Sequence, residues 1–361
     1  MNSINNIQQL KDSLIAQERT IDEEKLATLN KKKPIKTILI TILSVIGGLL
    51  GIASFIAFIA LVTEAEEVEN LILFFGVVFL IFSFVWSRKA DSPSSEGLGI
   101  SLYISGGLSI VLGLAFYYNS IDYNVLIIAS LLIGLVGIVF FKSRIIAMLG
   151  MLTVLISLHC AAVNNDINEL VYILLILSMY AIIAMYVFEI EIRIKSLYLS
   201  ELYLPIRSAL IIYTLGSSIL CSTWKWMDYY STYTTTLPII LCVAMSIALI
   251  YTLYEVFKIL SIKSLIVKIG FIIISLSSFL IIGVYYPAFS IGLLIIFWAF
   301  KEFNLNGVVE GSLVFIWAMG LFYYDLTYTL LIKSVLLIAV GALLLIGFYI
   351  NKKGGISNEI K

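Results

Sequence analysis

Residues 307–350 read GVVEGSLVFIWAMGLFYYDLTYTLLIKSVLLIAVGALLLIGFYI. Two long apolar runs are joined by the polar turn Asp325-Leu326-Thr327-Tyr328, with Glu310, Asp325 and Lys333 inside or beside them. A helix needs about 20 apolar residues to cross a hydrocarbon core, and each run approaches that length. The runs are continuous rather than alternating, which excludes a closed β-barrel and leaves a hairpin of two spanning helices.

The rest of the chain repeats this pattern. Of 361 residues, 61% are hydrophobic and 13% charged, against about 45–50% apolar and 25% charged in a soluble domain. A globule of this size has no interior large enough for that excess, so the excess must face lipid. Breaks at charged or turn-rich stretches give candidate spans at 37–62, 71–87, 98–117, 124–141, 145–163, 170–188, 208–224, 236–257, 265–284, 287–300, 307–324 and 329–350. The expected fold is all-α: a polytopic transmembrane helical bundle of about 12 spans. The segments 71–87 and 287–300 are the shortest, and their full crossing is left open. Net charge is zero, with 23 basic and 23 acidic residues, so charge gives no argument for a nucleic-acid partner.

Residues 1–36 differ from the apolar remainder of the chain. Ile7, Leu10, Leu14 and Ile21 share one face of a polar, charged helix that ends in Lys31-Lys32-Lys33-Pro34-Ile35-Lys36. A cleaved signal would have a short charged start and a small-residue cleavage site. The pattern is read instead as a cytoplasmic amphipathic leader helix before a retained first span.

Lys and Arg concentrate on the cytoplasmic side of membrane proteins. With the amino terminus inside and twelve spans, 21 of the 23 basic residues fall on that side, the exceptions being Lys225 and Lys333. The acidic run at Glu64, Glu66, Glu67 and Glu69 falls outside, with Asp122, Asp166, Glu169, Asp228 and Asp325. An error in span count would scramble this alternation. Both termini are therefore expected in the cytoplasm.

Between the spans, 189–207 reads EIEIRIKSLYLSELYLPIR. It is expected along the inner interface, with its Arg and Lys toward phosphates and its aliphatic side chains toward acyl chains. It divides a first half, 37–188, from a second, 208–350, and 351–361 forms a cytoplasmic tail. Residues 224–233, WKWMDYYSTY, read as an aromatic interfacial belt. Gly47-Gly48 and Gly106-Gly107 open similar helices and are expected to mark helix–helix packing.

Residues that carry chemistry are scarce. There is one histidine, His159, and no Gly-rich phosphate loop, HExxH pair or nucleophile elbow. Cys160, Cys221 and Cys242 lie with His159 on three helices without ligand spacing, so neither a metal nor another cofactor is expected. No catalytic residue stands out. Intramembrane or interfacial charges make Glu255 and Glu310 candidates of a different kind. At a rise of about 1.5 Å per residue, Lys333 lies one turn below the outer surface and Glu310 one turn from the inner one. They cannot pair, and Asp325 is the partner within reach of Lys333. Asp325, Tyr328, Lys333 and Ser334 form the candidate polar network at the outer end of the hairpin.

The run Tyr323-Tyr324-Asp325-Leu326-Thr327-Tyr328-Thr329-Leu330-Leu331-Ile332-Lys333-Ser334, continuing to Gly341 and Leu343-Leu344-Leu345, resembles the closing motif of the domain-of-unknown-function 4401 family. Thr329, Leu330, Leu331, Lys333 and Ser334 match directly, whereas the aspartate is displaced. Pro287 followed by a short apolar helix resembles the segment upstream in that family. The resemblance implies a multi-pass inner-membrane protein of bacteria and implies no activity.

Three functions fit these observations. The first is a non-enzymatic membrane subunit acting with a partner protein, such as another membrane protein, through its outer loops, its leader helix or both. The second is a carrier of a lipid or small solute, for which only Glu255, Glu310 and Lys333 offer themselves as lining charges. The third is an intramembrane transferase, and it lacks a positioned acid/base pair. A polar cavity at mid-membrane separates the carrier from the subunit, which needs only a dry bundle in the lipid bilayer.

Overall fold

Backbone N–H and C=O groups have no water to bond in hydrocarbon, so a chain this apolar satisfies them within helices. A computed structural model shows this arrangement. It describes residues 35–62, 65–89, 92–117, 123–140, 143–223, 236–259, 265–301, 305–325, 331 and 334. The helices in order are α1 (Ile35–Val62), α2 (Ala65–Arg88), α3 (Pro93–Tyr117), α4 (Tyr123–Phe140), α5 (Arg144–Asn164) and α6 (Asn168–Val187). They continue with α7 (Glu189–Lys195), α8 (Leu197–Thr223), α9 (Thr236–Ile259), α10 (Leu265–Ser278), α11 (Pro287–Lys301) and α12 (Leu305–Asp325). A π-turn, Phe279–Gly283, closes α10, and no strand occurs among the described residues.

Among the described residues, nine helices are long and apolar enough to cross a membrane, and Lys268–Gly283 and Pro287–Lys301 are shorter apolar segments. Eleven of the twelve expected spans are thus helices of a polytopic bundle. Apart from residues 331 and 334, the twelfth, 329–350, lies outside the described residues, as do residues 1–34 of the leader and the belt at 224–233. The short candidate 71–87 proves to be the greater part of a 24-residue helix that starts six residues earlier, because Glu66, Glu67 and Glu69 of the acidic run join the first turns of α2. Likewise α8 begins at Leu197, eleven residues ahead of the expected span at 208, and Pro205 lies inside it. The charges of 197–207 do not oppose a helix; they place its first turns outside hydrocarbon. Within 189–207, only Glu189–Lys195 forms a separate short helix.

Short connections make successive spans antiparallel and give the bundle two ends. One, the basic end, holds the close of α6, all of α7, the start of α8 and the last turns of α9 and α11. The opposite end holds the close of α5, α8 and α12. There the α5–α6 turn closes with Asp166 in the left-handed region (φ 55°) and the Ile167 amide donating to Ala162 O at 2.9 Å.

Two apolar clusters hold the helices. The smaller gathers Ile100, Tyr103, Ile133 and Ile146 from α3, α4 and α5. The larger runs from Leu155 of α5 through α6, α8, α9 and α11 to Ala318 of α12. They meet along α5, ahead of the 189–207 segment at which the sequence divides the spans. Small residues set the close approaches. A Cβ on Gly134 would meet Gly150 O at 2.7 Å, and one on Gly106 would meet Gly76 O at 3.0 Å. Gly107 faces Ile133 at 3.4 Å and Gly48 faces Ser101 across to α3, but Gly47 has open space.

The centre of the larger cluster is α11, in which ten of fifteen residues are buried. At about 1.5 Å per residue it is some 22 Å long, short of a bilayer core. Protein rather than lipid surrounds it, so it need not match the bilayer thickness. Pro287 opens it with the fixed φ suited to a first helical position, and Ser222 Oγ of α8 accepts the Ala288 amide at 3.1 Å.

Candidate functional site

The sequence places its candidate network at the opposite end, where α10, α11 and α12 meet. Asp325, the last residue of α12, accepts a hydrogen bond from the Tyr286 hydroxyl, in the turn before α11. Burial, and then the hydrogen bond and charge of Asp325, hold the Tyr286 phenol above its ordinary range, so at neutral pH it is the donor. Ser334 is exposed, and Tyr328 and Lys333 lie outside the described residues. The carboxylate is thus tied to a tyrosine 39 residues earlier, a partner that the hairpin alone does not reveal.

On the same half of the bundle, His159 of α5 lies among α8 side chains. Its Nδ1 is 3.3 Å from both Tyr213 Oη and Ser217 Oγ. Deeper, Thr214 donates to Ser178 Oγ at 2.9 Å. Cys160, Cys221 and Cys242 form no disulfide, and Cys242 Sγ donates to Phe279 O at 3.2 Å, at the π-turn. Among the described residues no three His, Cys, Asp or Glu side chains gather as a metal would require. These contacts join α5 and α6 to α8, and α9 to the π-turn that closes α10, while Cys160 is exposed.

The densest charged constellation is at the basic end. Glu189 of α7 places Oε1 2.7 Å from Arg193 and Oε2 3.7 Å from Arg207 of α8. Arg207 donates to Tyr203 Oη at 3.3 Å, and that hydroxyl donates to Met185 O at 2.8 Å. Both guanidiniums lie over aromatic faces: Arg193 is 4.6 Å from the Tyr203 ring centre and Arg207 4.8 Å from that of Tyr186. Tyr186 in turn stacks on Trp298 of α11 at 5.8 Å and 14°. Over Trp298, at 4.3 Å, stands the Lys301 ammonium, which also pairs with Glu255 of α9 at 3.3 Å. A chain of cation–π and stacking contacts therefore runs across α7, α8, α6 and α11, each within the range where such contacts attract, and the Lys301–Glu255 ion pair extends it to α9.

Of the two charges singled out as intramembrane or interfacial, Glu255 belongs to this constellation, and Glu310 lies exposed on α12. Sequence reasoning did not find Tyr186, Tyr203, Trp298 or Lys301. The i,i+4 spacings of Glu189–Arg193 and Tyr203–Arg207, and the i,i+3 spacing of Trp298–Lys301, put each pair on one helix face. The contacts between helices had no such signal.

A third feature is a groove beside α1. Gly47, Gly48, Gly51 and Ile52 of α1, Trp86 of α2, and Leu98 and Leu102 of α3 line it. Gly47 and Gly51 are one turn apart, and a Cβ at either would meet nothing within 4 Å.

The model of a family described as a domain of unknown function (DUF4401) matches residues 37–353. No curated protein and no solved structure matches the chain.

Proposed function

The chain belongs to the DUF4401 family, and from that premise we propose that it is a non-enzymatic membrane subunit that acts with a second membrane protein. The observation that carries this reading is the filled interior. Between α6, α8, α9 and α11, where a carrier needs a wet pathway, stand Leu175, Met179, Ile182, Met245, Leu249, Leu253, Ile291 and Leu294, all fully buried. The buried hydroxyls on the same helices, Ser178, Thr214, Ser218, Ser222 and Thr252, are taken up by hydrogen bonds within the bundle, which leaves few polar groups to replace the hydration shell of a solute. Such an interior suits a rigid bundle that offers its outer surface.

The partner is read as a spanning helix seated on the open face of α1. Helix association in lipid depends on van der Waals packing, and small residues one turn apart let backbones approach closely. Gly47 and Gly51 have that spacing and that open space, whereas Gly48 is already used against α3. The partition of basic residues supports a cytoplasmic basic end with both termini on that side, and the terminal motif supports the inner membrane of a bacterium.

The test is purification of the full chain from its native membranes in nanodiscs, followed by mass spectrometry. A second protein in fixed ratio, lost in Gly51→Leu but kept in Gly216→Leu, is the expected result; a Cβ on Gly216 also meets open space. Recovery of a small solute with no second protein would move the chain to the carriers. A second copy of the chain on the same face would make the assembly a homo-oligomer and remove the separate partner.

A further inference from the structure

We infer that the cation–aromatic constellation at the basic end is a binding site for a phosphate group at the membrane surface. Donors, charge and depth carry the inference, and it stands apart from the partner reading above.

Two guanidiniums carry ten N–H donors between them. Within the constellation they meet the two oxygens of Glu189 and the hydroxyl of Tyr203, and the 3.7 Å approach of Arg207 to Glu189 exceeds hydrogen-bond length. Arg193 Nε is buried without a hydrogen-bond partner, and so is Trp298 Nε1. Charge is unbalanced in the same direction: Arg193, Arg207 and Lys301 face Glu189 and Glu255. A buried donor without an acceptor costs free energy, and so does an uncompensated charge. An anion with several oxygens would relieve both.

The cations are held in place before any ligand arrives. Arg193 and Arg207 lie against Tyr203 and Tyr186, and Lys301 stands over Trp298. Guanidiniums fixed on aromatic faces lose little freedom when they bind, and their planar forks match phosphate oxygens in pairs. The site is not sealed: the side chains of Arg207, Lys301 and Arg193 are 15%, 16% and 27% exposed.

Depth names the ligand's chemistry. Counted from the opposite end at about 1.5 Å per residue, Arg207, Glu255 and Lys301 all lie some 21–28 Å along their helices, near the edge of a 30 Å hydrocarbon core. Phosphate is the anion that every glycerophospholipid presents at this level, and a soluble phosphate compound reaches it from the water side. Arg88, at the same end, shows the simpler alternative. It is an exposed cation, next to the equally exposed Lys89 and 4.1 Å from the ring of Phe84, an ordinary interfacial anchor and hence the internal control.

The experiment uses the full chain in nanodiscs of phosphatidylcholine containing a minor fraction of phosphatidylglycerol. Lipid that survives detergent exchange is counted by mass spectrometry, and inorganic phosphate binding is measured in parallel in pure phosphatidylcholine discs. Phosphatidylglycerol enriched over its bulk fraction, reduced about tenfold in Arg193→Gln and Lys301→Gln and unchanged in Arg88→Gln, supports the site with a lipid as source; tenfold corresponds to one lost charge-assisted contact. Phosphate binding with the same dependence, without lipid enrichment, supports it with a soluble source. Glu189→Gln removes the competing carboxylate and should raise retention severalfold, a gain that a misfolded variant does not produce. Lipid retention and phosphate binding that are both indifferent to Arg193, Lys301 and Glu189 overturn the proposal.

Discussion

Helices α1 and α11 are both apolar along nearly their whole length, yet they occupy opposite situations. In α1, Leu39, Leu43, Leu50, Phe58 and Leu61 all point outward, and the helix is held mainly by α3. In α11, Ile291, Leu294, Ile295 and Trp298 are enclosed on every side by α8, α9, α10 and α12. Hydrophobicity does not separate them, because lipid tails and a protein core solvate an aliphatic side chain alike. What separates them is detail that matters only against a protein neighbour. Gly292 allows α12 to approach, Ser222 caps the first turn, and Trp298 stacks with Tyr186 and seats the Lys301 ammonium. The lesson is that a membrane core is recognised by its small and polar exceptions.

The comparison breaks most sharply at Trp298. Trp298→Ala removes the stack with Tyr186 and the seat of Lys301, and it opens a cavity beneath Tyr251. A loss of about 3–5 kcal/mol is expected, on the scale of large-to-small core substitutions. Thermal unfolding in nanodiscs should fall steeply, whereas Phe58→Ala, on the lipid face of α1, should leave it nearly unchanged. Equal losses at the two sites would show that α11 is no more a core than α1. Next comes Gly292→Leu. Its Cβ would lie 3.0 Å from Phe315 N and 3.1 Å from Gly311 O, which are backbone atoms of α12 and cannot swing aside. Overpacking of about 1–3 kcal/mol results, read as a lower unfolding midpoint. Tyr286→Phe is smaller still. It removes the hydrogen bond that ties the turn before α11 to Asp325 of α12. About 0.6–1.7 kcal/mol is the usual range for such a bond between membrane helices. Asp325→Asn should cost no more, and a double variant no worse than either single one would confirm that the two side chains act as a pair.

Much of this architecture is legible in the residues, and the reasons for the exceptions are physical. Unbroken apolar length is a strong signal in lipid, so the spans from 37–62 to 307–324 correspond to helices even where boundaries move. The boundaries move where charge precedes an apolar run. Glu66, Glu67 and Glu69 enter α2, and Glu201 and Arg207 enter α8, because a helix continues into the interface without penalty. Pairings across the bundle are not legible. Nothing in the neighbourhood of Asp325 points to Tyr286, and nothing near Arg207 points to Glu189, eighteen residues earlier on another helix. Lys333, the local choice for Asp325 because it is close in sequence, lies outside the described residues, and Tyr286 is a partner that closeness in sequence does not reveal.

The smallest effect on stability is the most informative about function. A leucine at Gly51 of α1 meets open space and should shift the unfolding midpoint by no more than a surface change does, within about 0.5 kcal/mol. The same substitution fills the groove between Ile52, Trp86 and Leu98, where a partner helix would need close backbone approach. Association should therefore fall while the fold stays intact, the reverse of Gly292→Leu, which damages the fold from within. Site-directed disulfide capture sharpens the contrast. Cysteine at Gly47 or Gly51 should cross-link to a partner in native membranes, and cysteine at Ile42, which is also exposed but lies on the other side of the helix, should not. No capture at Gly47 or Gly51 would mean that this face of α1 meets only lipid, and equal capture at all three positions would mean collision without a preferred face; either outcome leaves the exposed face with no more meaning than the rest of the rim.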